Sequence, residues 1–368
     1  MGTGKKNVAV LYGGKSTEYE ISLLTAFSVI NAMNFDRYRI FPVHIQQNGR
    51  WIAGSEITKK LTSKDQLLLH EDRQLATTAQ HWLAPSSPET AQRPDIVFPL
   101  LHGPNGEDGT VQGLFELLNI AYVGSGVAGS ATAMDKVLMK DLFAAHHISG
   151  PDYLSVTHYQ WEQDAPGVIL QVKNTIGYPC FVKPANCGSS VGISQCLSET
   201  DLSASIENAF RFDRKIIIEE KVSGREVEIG VIGNHELSVS VPGEIVTKEA
   251  AFYDYQSKYR DGKSTLIIPA DLSQKVQAEL EDVAKRVFRA LDLTGLARVD
   301  TFVRDKDQRV LVNEVNTMPG FTQYSMFPLL WQHTGIAYRQ LIEKLIDLGL
   351  ERYEERQHIQ YRIDPDDQ

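Results

Sequence analysis

The chain has 368 residues, 42% of them hydrophobic and 23% charged, the balance of an ordinary soluble globular protein too long for one simple core. Its formal charge of −10, with no basic run, argues against a nucleic-acid partner. No stretch approaches the roughly 18 consecutive apolar residues of a membrane span, so no membrane partner is expected.

Met1 to Asn7 leads straight into a strand without the apolar region of a signal peptide. Lys6 stands where N-myristoylation requires Ser or Thr. The three cysteines, Cys180, Cys187 and Cys196, fit neither a disulfide framework nor a common zinc motif, so reduced thiols in a cytosolic protein are expected. In chain order, Asn7 to Tyr12 is an apolar run ending at Gly13-Gly14, which predicts a buried parallel strand leading into a turn. Apolar spacing predicts a helix from Ser22 to Met33, and Ile40 to Ile45 is a second strand. Ala53 to Arg93 is polar and mixed, an insertion of helices and loops. Asp95 to Leu101 is a further strand, and it runs into a glycine-rich loop. Strand–helix alternation of this kind predicts a doubly wound α/β domain.

A boundary is expected near Gly124-Ser-Gly126, followed by a helix from Ala128 to Ala145. Cys180 to Lys183 and Lys215 to Glu219 are strands flanking a helix near Asp201 to Phe210. A third block from Glu220 holds strands at Val227–Ile232 and Ser238–Val241, a helix at Gln274–Leu291 and two polar-faced strands. An amphipathic helix from Ile336 to Arg356 closes the chain.

The most informative stretch is Leu311 to Phe321, where Glu314 and Asn316 share one face of a strand by period-2 geometry. Upstream, Arg298 and Asp300 share a face in the same way. Two neighbouring strands would then offer two carboxylates and an amide oxygen, the hard ligands Mg²⁺ prefers, beside a guanidinium. One such pair alone suits a solvated edge strand; two in tandem, followed by Pro319-Gly320, point to a nucleotide–metal site.

Lys183 precedes a loop, Pro184 to Gly192, in which Gly188, Ser189, Ser190 and Gly192 let backbone N–H groups approach phosphate oxygens. A plain hairpin turn would look the same. Lys136 is a second candidate phosphate cation, although a lone helical lysine is usually solvated. The strand ending at Glu219-Glu220 and followed by Val222 could pair its backbone with an adenine edge, with Glu226 near a ribose. Phe252 to Tyr259 is aromatic, then polar, without amphipathic period, which suits either a lid or a partly buried surface loop. His102 follows a strand at its C-terminal end, the usual place for ligand contacts in open α/β sheets. Glu18 and Glu20 stand at the start of the first helix, placed either for the helix dipole or for a substrate ammonium.

Together these segments resemble the D-alanine–D-alanine ligases of the ATP-grasp superfamily, in order and over nearly the whole chain. The residues that carry the likeness are Gly13-Gly14, Ser16 to Ser22, His102 to Gly109, Met134 to Lys136, the Lys183 loop, Phe252 to Tyr255 with Lys258-Tyr259, Arg298 to Asp300, Asn313 to Thr322 and Ser325-Met326. The resemblance implies a three-domain α/β ATP-grasp fold with an N-terminal Rossmann-like parallel sheet. The expected domains are residues 1–124, the central 125–219 and the C-terminal 220–368. It implies ATP phosphate contacts from Lys136, Lys183 and Lys258, a covering loop at Ser189 and Ser190, adenine framed around Glu219, Glu220 and Val222, and ribose at Glu226. Asp300, Glu314 and Asn316 would hold two Mg²⁺ (or Mn²⁺) ions. Glu20 would bind the first ammonium, with His102 also on the substrate side. Arg298 and the N–H of Gly320 would stabilise the oxyanion, and Ser325, beside Met326, the second substrate's carboxylate. Glu20, Ser189 and Tyr259 would bridge loop and lid.

The implied reaction phosphorylates one D-alanine and joins it to a second for peptidoglycan synthesis, in a cytoplasmic homodimer formed through the first domain. Tyr259 is the residue from which ligases making D-alanyl-D-lactate depart, so the dipeptide type is expected. Tyr19 and Cys187 depart from the residues common in relatives. The alternatives are a D-alanine–D-lactate or D-alanine–D-serine ligase and a non-catalytic ATP-binding regulator. Arg298 argues against the regulator, because nucleotide binding alone has no need of an oxyanion donor.

Overall fold

The computed structural model describes residues 4–70, 93–247 and 264–360, organised around three sheets. The first sheet has the order β3-β2-β1-β4-β5. Its strands are β1 (Lys6–Gly13), β2 (Tyr38–Ile45), β3 (Trp51–Ala53), β4 (Ile96–Leu100) and β5 (Ala121–Tyr122). β1 runs parallel to both β2 and β4, and β4 to β5, while β3 is an antiparallel edge. Val8 to Tyr12 are buried, which is why β1 is apolar without alternation. At the end of β1, Gly13 has φ +91°, and a Cβ there would lie 2.2 Å from the Ile45 carbonyl oxygen, so only glycine lets the chain turn away. The loops after β1 and β4 therefore leave the sheet side by side at its C-terminal edge. They lead into helices α1 (Tyr19–Ala32) and α2 (Thr110–Leu117).

Helices α3 (Val127–Met134) and α4 (Lys136–Ala145) replace the single helix expected over Ala128 to Ala145. Asp135 breaks it with ψ 103° and then caps α4, accepting from the N–H groups of Val137 and Leu138. A four-stranded antiparallel sheet follows, ordered β6-β9-β7-β8. It comprises β6 (Tyr153–Thr157), β7 (Cys180–Pro184), β8 (Ser194–Cys196) and β9 (Lys215–Glu220). Helices α5 (His158–Thr175) and α6 (Glu199–Phe210) cover it through Val168, Val172, Leu202 and Ile206. No helix is expected over α5, which starts at a Thr157–Gln160 capping box but has Pro166 inside and a non-helical Asp164.

The third sheet runs β13-β12-β10-β14-β15, with β11 beside β10. Its strands are β10 (Gly224–Gly233), β11 (Ser238–Val239), β12 (Gly243–Thr247), β13 (Ser264–Ile267), β14 (Gly295–Arg304) and β15 (Val310–Asn316). Val227, Ile229, Val231, Ala297 and Val299 pack against α7 (Gln274–Ala290). Period 2 then sends Glu226, Glu228, Arg298 and Asp300 to the opposite face. After α8 (Met326–His333), α9 (Tyr338–Gln357) returns to the first sheet, sharing a core with Val8, Val10 and Phe98 through Leu341, Ile342, Leu345 and Ile346. Among the described residues no helix is long and apolar enough to cross a membrane.

Candidate active site

A cleft opens where the three sheets meet. The loops after β1 and β4 bring Glu18, His102 and Glu107; α4 and the β7–β8 loop bring Lys136, Cys187, Gly188 and Ser189. The third sheet brings Arg298 and the run from Glu314 to Gly320.

The β14–β15 register sets the polar face. Arg298 lies opposite Asn316 and Asp300 opposite Glu314, in an antiparallel ladder that brings directly facing side chains together. The Arg298 guanidinium grips both oxygens of Asp300 at 2.7 Å and also meets Glu228, from β10, at 2.9 Å. These anions hold its proton affinity well above the ordinary arginine range, overcoming burial, which alone would lower it. The Asn316 amide N–H donates to Asp300 at 3.0 Å, so Asp300, Glu314 and Asn316 form a single patch of two carboxylates and an amide. That donor chemistry fits a hard divalent cation.

Of the two carboxylates at the start of the first helix, Glu18 lines the cleft and Glu20 does not. Glu20 points outward, its side chain 60% exposed and paired with Lys64 at 2.8 Å. Glu18, at the N-cap of α1, is buried, and the Ser189 hydroxyl donates to it across the cleft. Two glycines leave it room: a Cβ on Gly103 would sit 2.8 Å from the Glu18 carboxylate and one on Gly188 3.1 Å away.

The β7–β8 connection is a hairpin loop, and its tip carries the left-handed residues Ser189 (φ 50°), Ser190 (φ 59°) and Gly192 (φ 72°). Lys136 ties this loop down by donating to the Cys187 carbonyl at 2.8 Å, with Glu314 at 3.7 Å. Lys183 and Lys140 share one carboxylate, Glu219, at 2.5 and 2.6 Å. Burial would raise the Glu219 pKa, but the two ammonium groups outweigh it and hold it at about 2.

Models described as the D-ala D-ala ligase N-terminus and C-terminus match residues 7–125 and 142–347. The D-alanine–D-alanine ligase of Geobacillus thermodenitrificans is 50% identical over 364 residues, which cover 98% of this chain and 100% of that one. The chain belongs to the D-alanine–D-alanine ligase family. Among relatives in this family, the Staphylococcus epidermidis ligase is 46% identical over 98% of this chain and 99% of its own. Two solved structures share the fold. The D-alanine–D-alanine ligase of Coxiella burnetii superposes with a TM-score of 0.79 at 32% identity, covering 96% of each chain. The D-Ala:D-Ser ligase VanG of Enterococcus faecalis superposes at 0.82 with 33% identity, covering 94% of this chain and all of that one.

Other residues expected at this ligase site lie further from the cleft. Glu220 accepts the Asp152 N–H at 3.1 Å, Val222 follows β9, and Glu226 is exposed on β10. Ser325 bonds the Thr322 hydroxyl at 2.8 Å and precedes α8, while the buried Met326 packs toward Gly243, so neither lines the cleft. Tyr259, Lys258 and the rest of the expected lid fall outside the described residues. The sequence alone assigns no role to Glu107, which lines the cleft, to Glu228, which meets Arg298, or to Lys140, which shares Glu219. Lys140 had a readable signal, because it falls at apolar helical spacing with Val137 and Phe143.

Proposed function

We propose that the chain joins two D-alanine molecules to D-alanyl-D-alanine for peptidoglycan synthesis, with ATP converted to ADP and phosphate. The observation that carries this reading is one cleft holding a buried carboxylate, Glu18, opposite a guanidinium, Arg298, and the oxygen donors of β15. The 50% identity to a relative bearing that name supports D-alanine as acceptor over D-lactate or D-serine.

A free carboxylate is a poor electrophile. The carboxylate of the first D-alanine attacks the γ-phosphorus of ATP, forming an acyl phosphate and releasing ADP. The amine of the second then attacks the acyl carbon, losing a proton, and phosphate leaves as the amide forms. Glu18 binds the first ammonium, buried where a carboxylate attracts a cation strongly. Lys136 and Lys183 face the phosphates, and the Ser189–Ser190 loop covers them. Asp300, Glu314 and Asn316 would hold two Mg²⁺ ions, which when bound offset charge on the transferring phosphoryl group. Arg298 and the N–H of Gly320 stabilise the tetrahedral oxyanion, a contribution of about 3–4 kcal/mol for one such donor in a preorganised site. Excluding water matters because the acyl phosphate would hydrolyse. We place this reaction in the cytoplasm, and in a homodimer formed through the first domain, where Leu117 is 88% exposed.

The test is to incubate the protein with ATP, Mg²⁺ and D-alanine, with D-lactate and D-serine competing, and to weigh the products. D-Alanyl-D-alanine with stoichiometric ADP and phosphate is expected. A predominant depsipeptide or mixed D-serine dipeptide would overturn the acceptor assignment.

A further inference from the structure

Between the loop after β4 and the turn after β15 lies a clamp around one residue, Met318, held by the peptide units on both its sides. The Met318 N–H donates to Glu107 at 3.1 Å, and the other oxygen of Glu107 accepts from the Gly103 N–H at 2.8 Å. The Met318 carbonyl contacts His102 Nδ1 at 3.1 Å. A carbonyl can only accept, so Nδ1 carries the hydrogen. Burial lowers the His102 pKa, which favours the neutral ring, and Nε2 meets the Thr25 hydroxyl at 3.2 Å. Both His102 nitrogens are thus engaged inside the protein. The Met318 side chain is buried too. Pro319 then fixes the backbone between Met318 and Gly320.

We propose that Glu107 is a positioning residue which, with His102, clamps Met318 through the peptides before and after it and so fixes the direction of the Gly320 N–H. This rests on the oxyanion role given above to Gly320. It also assigns His102 a structural part, in holding the third sheet's turn against the first sheet. Both contacts join segments more than 200 residues apart, so the clamp aligns groups that no local structure could align. Burial, with Glu18 close by, pushes the Glu107 carboxyl up to about 8, against the Gly103 and Met318 N–H groups, which favour its ionised form.

The test is Glu107→Gln, which keeps the shape but turns an N–H toward one of the backbone N–H groups. Steady-state kinetics, ADP affinity and the affinity of a phosphinate analogue of the tetrahedral intermediate are measured together. A kcat for dipeptide synthesis lower by about 10- to 100-fold is expected, the scale of a small misplacement of a reacting geometry. Phosphinate affinity should fall in the same proportion, with ADP affinity unchanged. A kcat within twofold of the unsubstituted protein, or equal losses of ADP and phosphinate affinity, would overturn the clamp. If Glu107→Gln does not fold, Thr25→Val reads the other arm through the loss of the His102 Nε2 partner. It should lower kcat and phosphinate affinity together, and no change in either would overturn the proposal. Failure of the unsubstituted protein to make the dipeptide would instead reject the ligase reading itself, so the two failures are distinct.

Discussion

Replacing Glu219 by Gln should destabilise the protein and make its stability depend on ATP. Lys140 and Glu219 side chains are each 3% exposed and Lys183 12%, so two ammonium groups share one carboxylate out of water. The Glu219 pKa of about 2, against an ordinary 4.5, corresponds to about 3 kcal/mol of stabilisation when the group is ionised. The folded value is the lower one. That contribution is therefore complete above the unfolded pKa near 4.5 and is lost as pH falls from there toward 2. Glu219→Gln leaves two buried cations unpaired, a loss of about 3–5 kcal/mol, or roughly 6–10 °C in melting temperature. ATP would restore part of it, because its phosphates supply the missing counter-charge and bind only the folded state. Lys140→Met, which leaves a neutral Glu219–Lys183 pair, should cost less than about 1 kcal/mol. Thermal melts of the three proteins at pH 7 and pH 3, with and without ATP, measure all of this. Equal costs for the two substitutions, or a Glu219→Gln protein as stable as the unsubstituted one at pH 7, would refute the shared-carboxylate account.

Glu18→Gln should raise the KM for D-alanine by at least about tenfold, since it removes a buried charge from a bound cation, whereas Glu20→Gln should change stability and kinetics by less than about 0.5 kcal/mol. Steady-state kinetics on both variants decide between the two carboxylates. Asp300→Asn should raise the Mg²⁺ concentration for half-maximal activity by about tenfold or more, read in a metal titration with Glu20→Gln as control. Burial raises the Cys187 thiol pKa despite Lys136 nearby, so alkylation there at pH 7 should be slower than that of free cysteine. Peptide mass mapping after timed iodoacetamide treatment follows it, and faster labelling at Cys187 would contradict the assigned environment.

Much of the site was legible because strands have a strict period. Alternation alone put Arg298 with Asp300, and Glu314 with Asn316, on shared faces. It did not give the register that sets Asp300 against Glu314, because pairing depends on which strands meet and not on either strand's own pattern. Apolar spacing starts the first helix at Ser22. The helix in fact begins at Tyr19, which makes Glu18 its N-cap and leaves Glu20 on an outer face with Leu24, itself 40% exposed. Asp135 ended one helix and capped the next within a stretch whose apolar spacing is continuous. Lys140 and Glu107 act through partners 79 and 211 positions away, Glu219 and Met318, and no local periodicity reports such contacts.

The central claim is ligation of two D-alanines through an acyl phosphate, and oxygen transfer tests it most directly. D-Alanine labelled with ¹⁸O in its carboxylate would be turned over with ATP and Mg²⁺, and both dipeptide and phosphate weighed. One ¹⁸O in the inorganic phosphate for each D-alanyl-D-alanine formed is expected, because the phosphate leaves with the oxygen that attacked it. Dipeptide accompanied by unlabelled phosphate would contradict the account.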